Sequence, residues 1–178
     1  MTFSKRRIIS AAVVATATLA AGTGTVVAAS TGHTGTSQSA FSAQTENSAT
    51  TYGPGGGWVT VASTDIAADA GDVIVARFGA ESACYGGVGW CAARILVDGN
   101  EANPVSAPAA DDFAFDSTEN NTATSQSYES HSMERVIKHA PSGMGGDPAK
   151  VEVQVRMHGA NVKQRLDDSI LSAVTIKP

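Results

Sequence analysis

Val151-Glu152-Val153-Gln154-Val155-Arg156-Met157-His158 alternates apolar and polar side chains without a break. In an extended chain this period of two puts Val151, Val153, Val155 and Met157 on one face and Glu152, Gln154, Arg156 and His158 on the other. One oily and one wet face is the pattern of a half-buried antiparallel strand, since a parallel strand is covered on both sides and reads as a continuous apolar run.

The same reading extends in both directions from this stretch. Val73 to Ser82 alternates again, with Ile74, Ala76, Phe78 and Ala80 opposed by Arg77 and Glu81. Cys91 to Val97 is a further run, closed by the turn-forming Asp98-Gly99-Asn100. Trp58 to Ala62 begins the series, with Val59 and Val61 on a shared face. Phe113 and Phe115 stand two apart between Asp112 and Asp116, and Tyr128 to His139 is extended until the Pro141–Pro148 segment breaks it. Val162 to Leu166 and Ile170 to Ile176 finish the chain, with Ile170, Val174 and Ile176 on one side. About eight short strands, frequent turns and no βαβ alternation give an all-β, antiparallel two-sheet sandwich. A jelly roll is the first expectation. An immunoglobulin-like sandwich comes second, because Cys84 and Cys91 are too close in sequence to bridge two sheets in the usual way.

Ahead of the strands the composition changes. Lys5-Arg6-Arg7, the apolar run Ile8 to Ala21 and the small residues Val27-Ala28-Ala29 have the form of a secretory signal peptide over residues 1–29. Cleavage there would leave 149 residues with nine basic and 17 acidic side chains, a net charge of −8. The expectation is a secreted, extracellular protein with no membrane anchor after cleavage. An acidic product without a basic tract is also a poor partner for nucleic acid. Ser, Thr and Gly make up 17 of the 28 residues from 30 to 57. Such a segment cannot bury enough apolar surface to order itself, so residues 30–56 are expected to be a flexible leader and 57–178 the sandwich domain. An exported chain with two cysteines points to a Cys84–Cys91 disulfide that fixes a local turn.

Ser130-His-Ser-Met-Glu-Arg135, the glycine-rich turn after it and Val151-Glu-Val-Gln-Val155 resemble the late strands of C1q/TNF-like jelly rolls. Arg165-Leu-Asp-Asp-Ser-Ile-Leu171 resembles the final strand of such domains, or of jelly-roll carbohydrate-binding modules. With the Cys84 to Cys91 pair, these segments are similar to uncharacterised secreted proteins of actinobacteria, over residues 57–178. The resemblance implies the jelly-roll fold and homotrimer formation, and it carries no catalytic residue.

Gly-x-Ser-x-Gly and its α/β setting are absent from the sequence. Ser130 and His131 point to opposite faces of a strand, so the neighbouring pair cannot cooperate directly. Among Glu129, Glu134, Asp111, Asp112, Asp116, Asp167 and Asp168, no spacing singles out a glycosidase pair. Asp111, Asp112, Asp116, Asp167 and Asp168 are hard oxygen donors near strand ends and make a candidate calcium site, with no other cofactor expected. Zinc has less support, because His33, His131, His139 and His158 are scattered. Tyr85 and Trp90 lie among glycines inside the disulfide loop, where rigid rings could form a platform for sugars or could pack over the bond. Asn120-Asn121-Thr122 matches a glycosylation sequon, which places the surrounding stretch in a surface loop.

The function expected is a non-enzymatic secreted module that recognises carbohydrate or a cell-surface polymer, or assembles with copies of itself. The alternatives are a small extracellular hydrolase, which needs Glu129, His131 or Asp167 to converge in a groove, and a structural homotrimeric envelope protein.

Overall fold

A computed structural model describes residues 25–26, 40–106, 112–119, 121, 126–140 and 148–177. Apart from Thr25–Val26, the signal segment expected over residues 1–29 lies outside the described residues. So do His33, Asp111 and most of the sequon. Among the described residues every regular element is a strand, and no helix is long and apolar enough to cross a membrane.

The strands are β1 (Thr25–Val26), β2 (Phe41–Glu46), β3 (Thr50–Tyr52), β4 (Val59–Ile66), β5 (Val73–Tyr85), β6 (Trp90–Val97), β7 (Asn100–Glu101), β8 (Ala114–Ser117), β9 (Glu129–Lys138), β10 (Ala149–His158) and β11 (Lys163–Ile176). Every pairing is antiparallel. The first sheet runs β2-β11-β5-β9, with β1 on the far edge of β2 and β3 in line with β2 along β11. The second runs β4-β10-β6, with β7 and β8 sharing the far edge of β6. Numbered among β2, β4, β5, β6, β8, β9, β10 and β11 alone, the first sheet reads one-eight-three-six and the second two-seven-four-five. This is the winding of a jelly roll. The fold is therefore an antiparallel two-sheet sandwich, as the alternation required.

The inner faces meet over a core of small and branched residues. Ile74, Ala76 and Phe78 of β5, Ala93 and Ile95 of β6, Val151, Val153 and Val155 of β10, and Leu171 and Ala173 of β11 are all at most 1% exposed. Removing each larger side chain from water contributes roughly 1.5–3 kcal/mol, and the alanines let the sheets approach closely. Phe78 and Phe115 meet across the layers at 5.5 Å between ring centres.

The structure departs from the sequence expectations in three places. The supposed leader supplies β2 and β3, which complete the edge of the first sheet against β11. Ser42 is buried there and hydrogen-bonds Thr64 across the layers. Backbone pairing and one buried residue suffice for an edge strand, and composition alone does not register them. Second, β11 is a single 14-residue strand interrupted by a bulge, where Asp168 and Ser169 face the one position between Glu81 and Gly79. The bulge flips the burial phase from Gln164 and Leu166 to Leu171, Ala173 and Thr175. Ile170, Val174 and Ile176 do share a side, but it is the outer one. Third, a register shift against β10 between Val153 and Gln154 leaves Val59 opposite Val155 and out of phase with Val61; Val59 is 41% exposed at the start of β4, while Ala62, Thr64 and Ile66 carry its core.

Candidate functional site

Cys84 and Cys91 form the disulfide, with a Cα–Cα distance of 5.9 Å. Cys84 lies near the end of β5 in the first sheet and Cys91 in β6 of the second, so the bond joins the two layers where the chain crosses between them. That is more than the local turn expected. Met157, Val162 and Tyr52 pack around it. The glycines of the loop are used for close approach to the β10–β11 turn. A Cβ on Gly87 would lie 2.1 Å from Ala160 O, and one on Gly159, at φ 115°, would lie 2.3 Å from Val88 O. The two turns press backbone against backbone, which only residues without side chains permit.

Of the two rings in that loop, half-buried Tyr85 closes β5 and Trp90 opens β6, so they belong to different sheets. The partners of Trp90 come from elsewhere. It pairs in register with His158 of β10, and the two rings stack at 4.5 Å and 13°. His158 Nε2 lies 2.6 Å from Asp112 Oδ2, and Arg156 bonds the same oxygen. The Arg156 guanidinium lies 4.9 Å from the centre of the Trp58 ring, and the Arg94 guanidinium lies 4.2 Å from it. Arg94 also donates twice to Gln154 Oε1, at 3.0 and 2.7 Å. Burial draws the Arg94 guanidinium below its usual value, against the opposing pull of Glu101 and Asp112. Both tryptophans of the chain thus stand on the outer face of the second sheet, joined by one polar network. Each is half-buried, with a ring face backed by a cation or an imidazole.

The second concave feature lies where β8 and β9, the edge strands of opposite sheets, face each other. A cavity of about 220 Å³ is lined by Phe115, Asp116, Ser117, Asn121, Glu129 and His131. Another of about 380 Å³ continues along Ala93, Phe113, Met133 and Arg135. Ser82 donates to Asp116 Oδ2 at 2.6 Å, and Gln164 Nε2 donates to Ser82 Oγ at 3.4 Å. His131 Nε2 stands 3.7 Å from Asp116 Oδ1 and 3.8 Å from Glu129 Oε2, beyond hydrogen-bond range, and is buried without a partner. Glu129 and His131, which the hydrolase alternative needed together, therefore share a cleft, and Asp167 lies in the β11 bulge instead. Ser130 and Ser132 are exposed, and among the described residues no serine hydroxyl bonds His131. The hydroxyl of Ser82, behind the cleft, donates to the Asp116 carboxylate.

Of the aspartates read as a calcium set, Asp111 lies outside the described residues. Asp112 belongs to the tryptophan network and Asp116 to the cleft, while the Asp168 backbone N–H donates to Asp167 Oδ1. Among the described residues no group of three His, Cys, Asp or Glu side chains is placed to hold a metal ion. The sequence reading passed over Trp58, Arg94, Arg156 and Ser82. The outward phase of Arg156 and His158 on β10 was the one signal that could have found part of this set.

The site and fold define a jelly-roll module with two polar features outside its core. No protein-family model matches the chain, and no curated protein matches it. Among solved structures it is similar to the VP2 subviral particle of infectious bursal disease virus, at 14% identity and a TM-score of 0.42, over 78% of this chain and 33% of that one. It is also similar to the structure of the Gx strain of that virus, at 14% identity and a TM-score of 0.41, over 80% and 32%. The chain thus spans about a third of the solved chains it matches.

Proposed function

We propose that this chain is a non-enzymatic, secreted binding module that recognises carbohydrate or a cell-surface polymer through the outer face of its second sheet. The observation carrying this reading is that both tryptophans stand on that face, tied together through His158, Asp112, Arg156 and Arg94. Aromatic planes bind sugar faces at low entropic cost when they are already fixed, and here Arg94 and Arg156 back one ring and His158 the other. Gln154, Asp112 and the guanidinium groups beside the rings supply donors and acceptors for hydroxyls. The test is tryptophan fluorescence during titration with a panel of polysaccharides. Saturable changes are expected, weakened about tenfold or more by Trp90→Ala and by Trp58→Ala. No response to any polymer, or a response in both variants equal to that of the unaltered chain, would remove this reading.

A second reading, assembly with copies of itself, is favoured by a separate observation. On the outer face of the first sheet, Phe41, Val174, Val75 and Val136 form one register row across all four main strands, and Ile176 stands opposite Val73 in the next. Phe41, Val136 and Ile176 are 45%, 39% and 48% exposed. A contiguous apolar row on an otherwise wet face suits a second copy of the chain, trimeric or otherwise. Sedimentation at micromolar concentration tests it: an oligomer that Val136→Lys converts to monomer is expected, and a wild-type monomer counts against it.

A further inference from the structure

The outer face of the first sheet carries, beside its apolar row, a charge pattern that the single chain leaves unused. On β9, Glu134, Val136 and Lys138 are all exposed and point outward, with Val136 midway between the two charges. Among the described residues neither the Glu134 carboxylate nor the Lys138 ammonium has an ion pair or hydrogen bond. Glu134 stands opposite Arg77 of β5 in register, and those two do not pair either. The backbone edge of β9 is closed at this point. Val136 N–H donates to Asn103 O at 3.0 Å, and Val136 O accepts from Asn103 N–H at 2.8 Å. A partner therefore cannot add a strand beside Val136 and must come onto the face.

The charges fix how a second copy would approach. When two identical faces meet about a two-fold axis, the axis lies in the plane between them. Each residue then meets the one equally far on the other side of that axis. An axis running across the strands along Phe41, Val174, Val75 and Val136 lays each of these side chains against its own copy. Two positions to either side, Glu134 faces the partner's Lys138 and Lys138 faces the partner's Glu134. On β5 the same step puts Arg77, whose methylenes cover apolar surface, over the partner's Val73. On β11 it puts Ile176, 48% exposed, over the partner's small Ser172. An axis along the strands, between β11 and β5, does worse. Arg77 would meet Ser172 and Glu134 would meet Ala43, so both charges would be covered without a counterion. A three-fold arrangement joins two different patches at each contact, so it would not bring this face onto itself.

Four strands about 4.8 Å apart and three outward rows about 7 Å apart give a footprint of roughly 400 Å² on each copy. That is the size of a reversible contact rather than a permanent one. Building on the self-assembly reading above, we infer that two copies join through the outer faces of their first sheets about a two-fold axis along the Phe41–Val136 row, with Glu134 and Lys138 of each paired to Lys138 and Glu134 of the other. The apolar row supplies the contact area, and the two reciprocal ion pairs fix its direction.

The test is sedimentation of the protein through the micromolar range, with Glu134→Lys, Lys138→Glu and an equimolar mixture of these two variants. The wild type is expected to reach a dimer. Each variant alone sets like charges against each other twice and should associate about tenfold or more weakly. In the mixture one chain carries two lysines at these positions and the other two glutamates, so unlike chains should pair and restore the dimer. Both residues are exposed and unbonded within the chain, so neither exchange disturbs the fold. A wild type that stays monomeric removes the assembly reading and this inference with it. An oligomer that is a trimer, that ignores both exchanges, or that the mixture fails to restore leaves assembly standing and overturns the two-fold contact.

Discussion

Replacing Gly87 with alanine adds a single methyl group, and the structure indicates where it would go. The new Cβ would sit 2.1 Å from Ala160 O and 3.3 Å from both Ala160 C and Val162 Cγ2. The first contact lies 0.9 Å inside the 3.0 Å limit that real Cβ atoms respect. The obstacle is backbone, so no side-chain rotation relieves it. Either the disulfide loop or the β10–β11 turn must shift by nearly an ångström, pulling on Val162, which is fully buried against the bond. Forced overpacking of this kind costs roughly 1–3 kcal/mol. The smaller freedom of alanine in the unfolded chain returns about 0.4–1 kcal/mol. A net loss of about 1–2 kcal/mol lowers Tm by roughly 4–8 °C in a domain of this size. Thermal unfolding of the oxidised protein by near-ultraviolet circular dichroism measures it. Gly55→Ala is the control, because nothing lies within 4 Å of its Cβ position. If Gly87→Ala melted within a degree of the wild type, or if the control fell equally, the interlocked turns would not be a stabilising contact.

Two further outcomes follow from the same structure. Replacing both cysteines by alanine opens a link seven residues long, for which the chain-entropy relation gives a loss of about 2.5 kcal/mol; denaturant midpoints should fall accordingly, and an unchanged midpoint would mean that the bond is incidental to the sandwich. Burial raises the phenols of Tyr52 and Tyr128 above their ordinary value. Their neutral forms are favoured by folding, so this component is intact below the unfolded phenol value near 10 and is lost as pH rises from there through the folded values. Absorbance titration should find phenolate appearing later than in free tyrosine, with Tyr52→Phe removing part of the late component; ionisation of Tyr52 at the free-amino-acid pH would contradict the partial burial of its ring.

Much of this architecture could be read from the chain itself. In β10 and in β5 from Val73 to Ala80, alternation named the buried face residue by residue, because on a pleated strand the side of a side chain depends only on its parity. That reasoning fails at a bulge. Asp168, at φ 43°, adds one position to β11, and every side chain after it changes face. No local pattern announced this, and the apolar Ile170 and Ile176 pointed the other way. It also missed Phe41–Glu46, where pairing with β11 makes a strand of a sequence that could not order alone.

The functional groups were least legible, for a related reason. Trp58 and Arg156 are nearly a hundred positions apart and meet because β4 and β10 are neighbours; Ser82, Asp116 and His131 come from β5, β8 and β9. The glycines beside Tyr85 and Trp90 looked like room for rings, and tertiary contact turned them into a seam between two turns. Parity along one strand is a property of consecutive residues, so the letters alone determined that this chain folds as two antiparallel layers over an apolar interior. Which strands lie side by side is decided by the winding of the whole chain, and only that winding brings together the charges, rings and close backbone contacts from which a site is made.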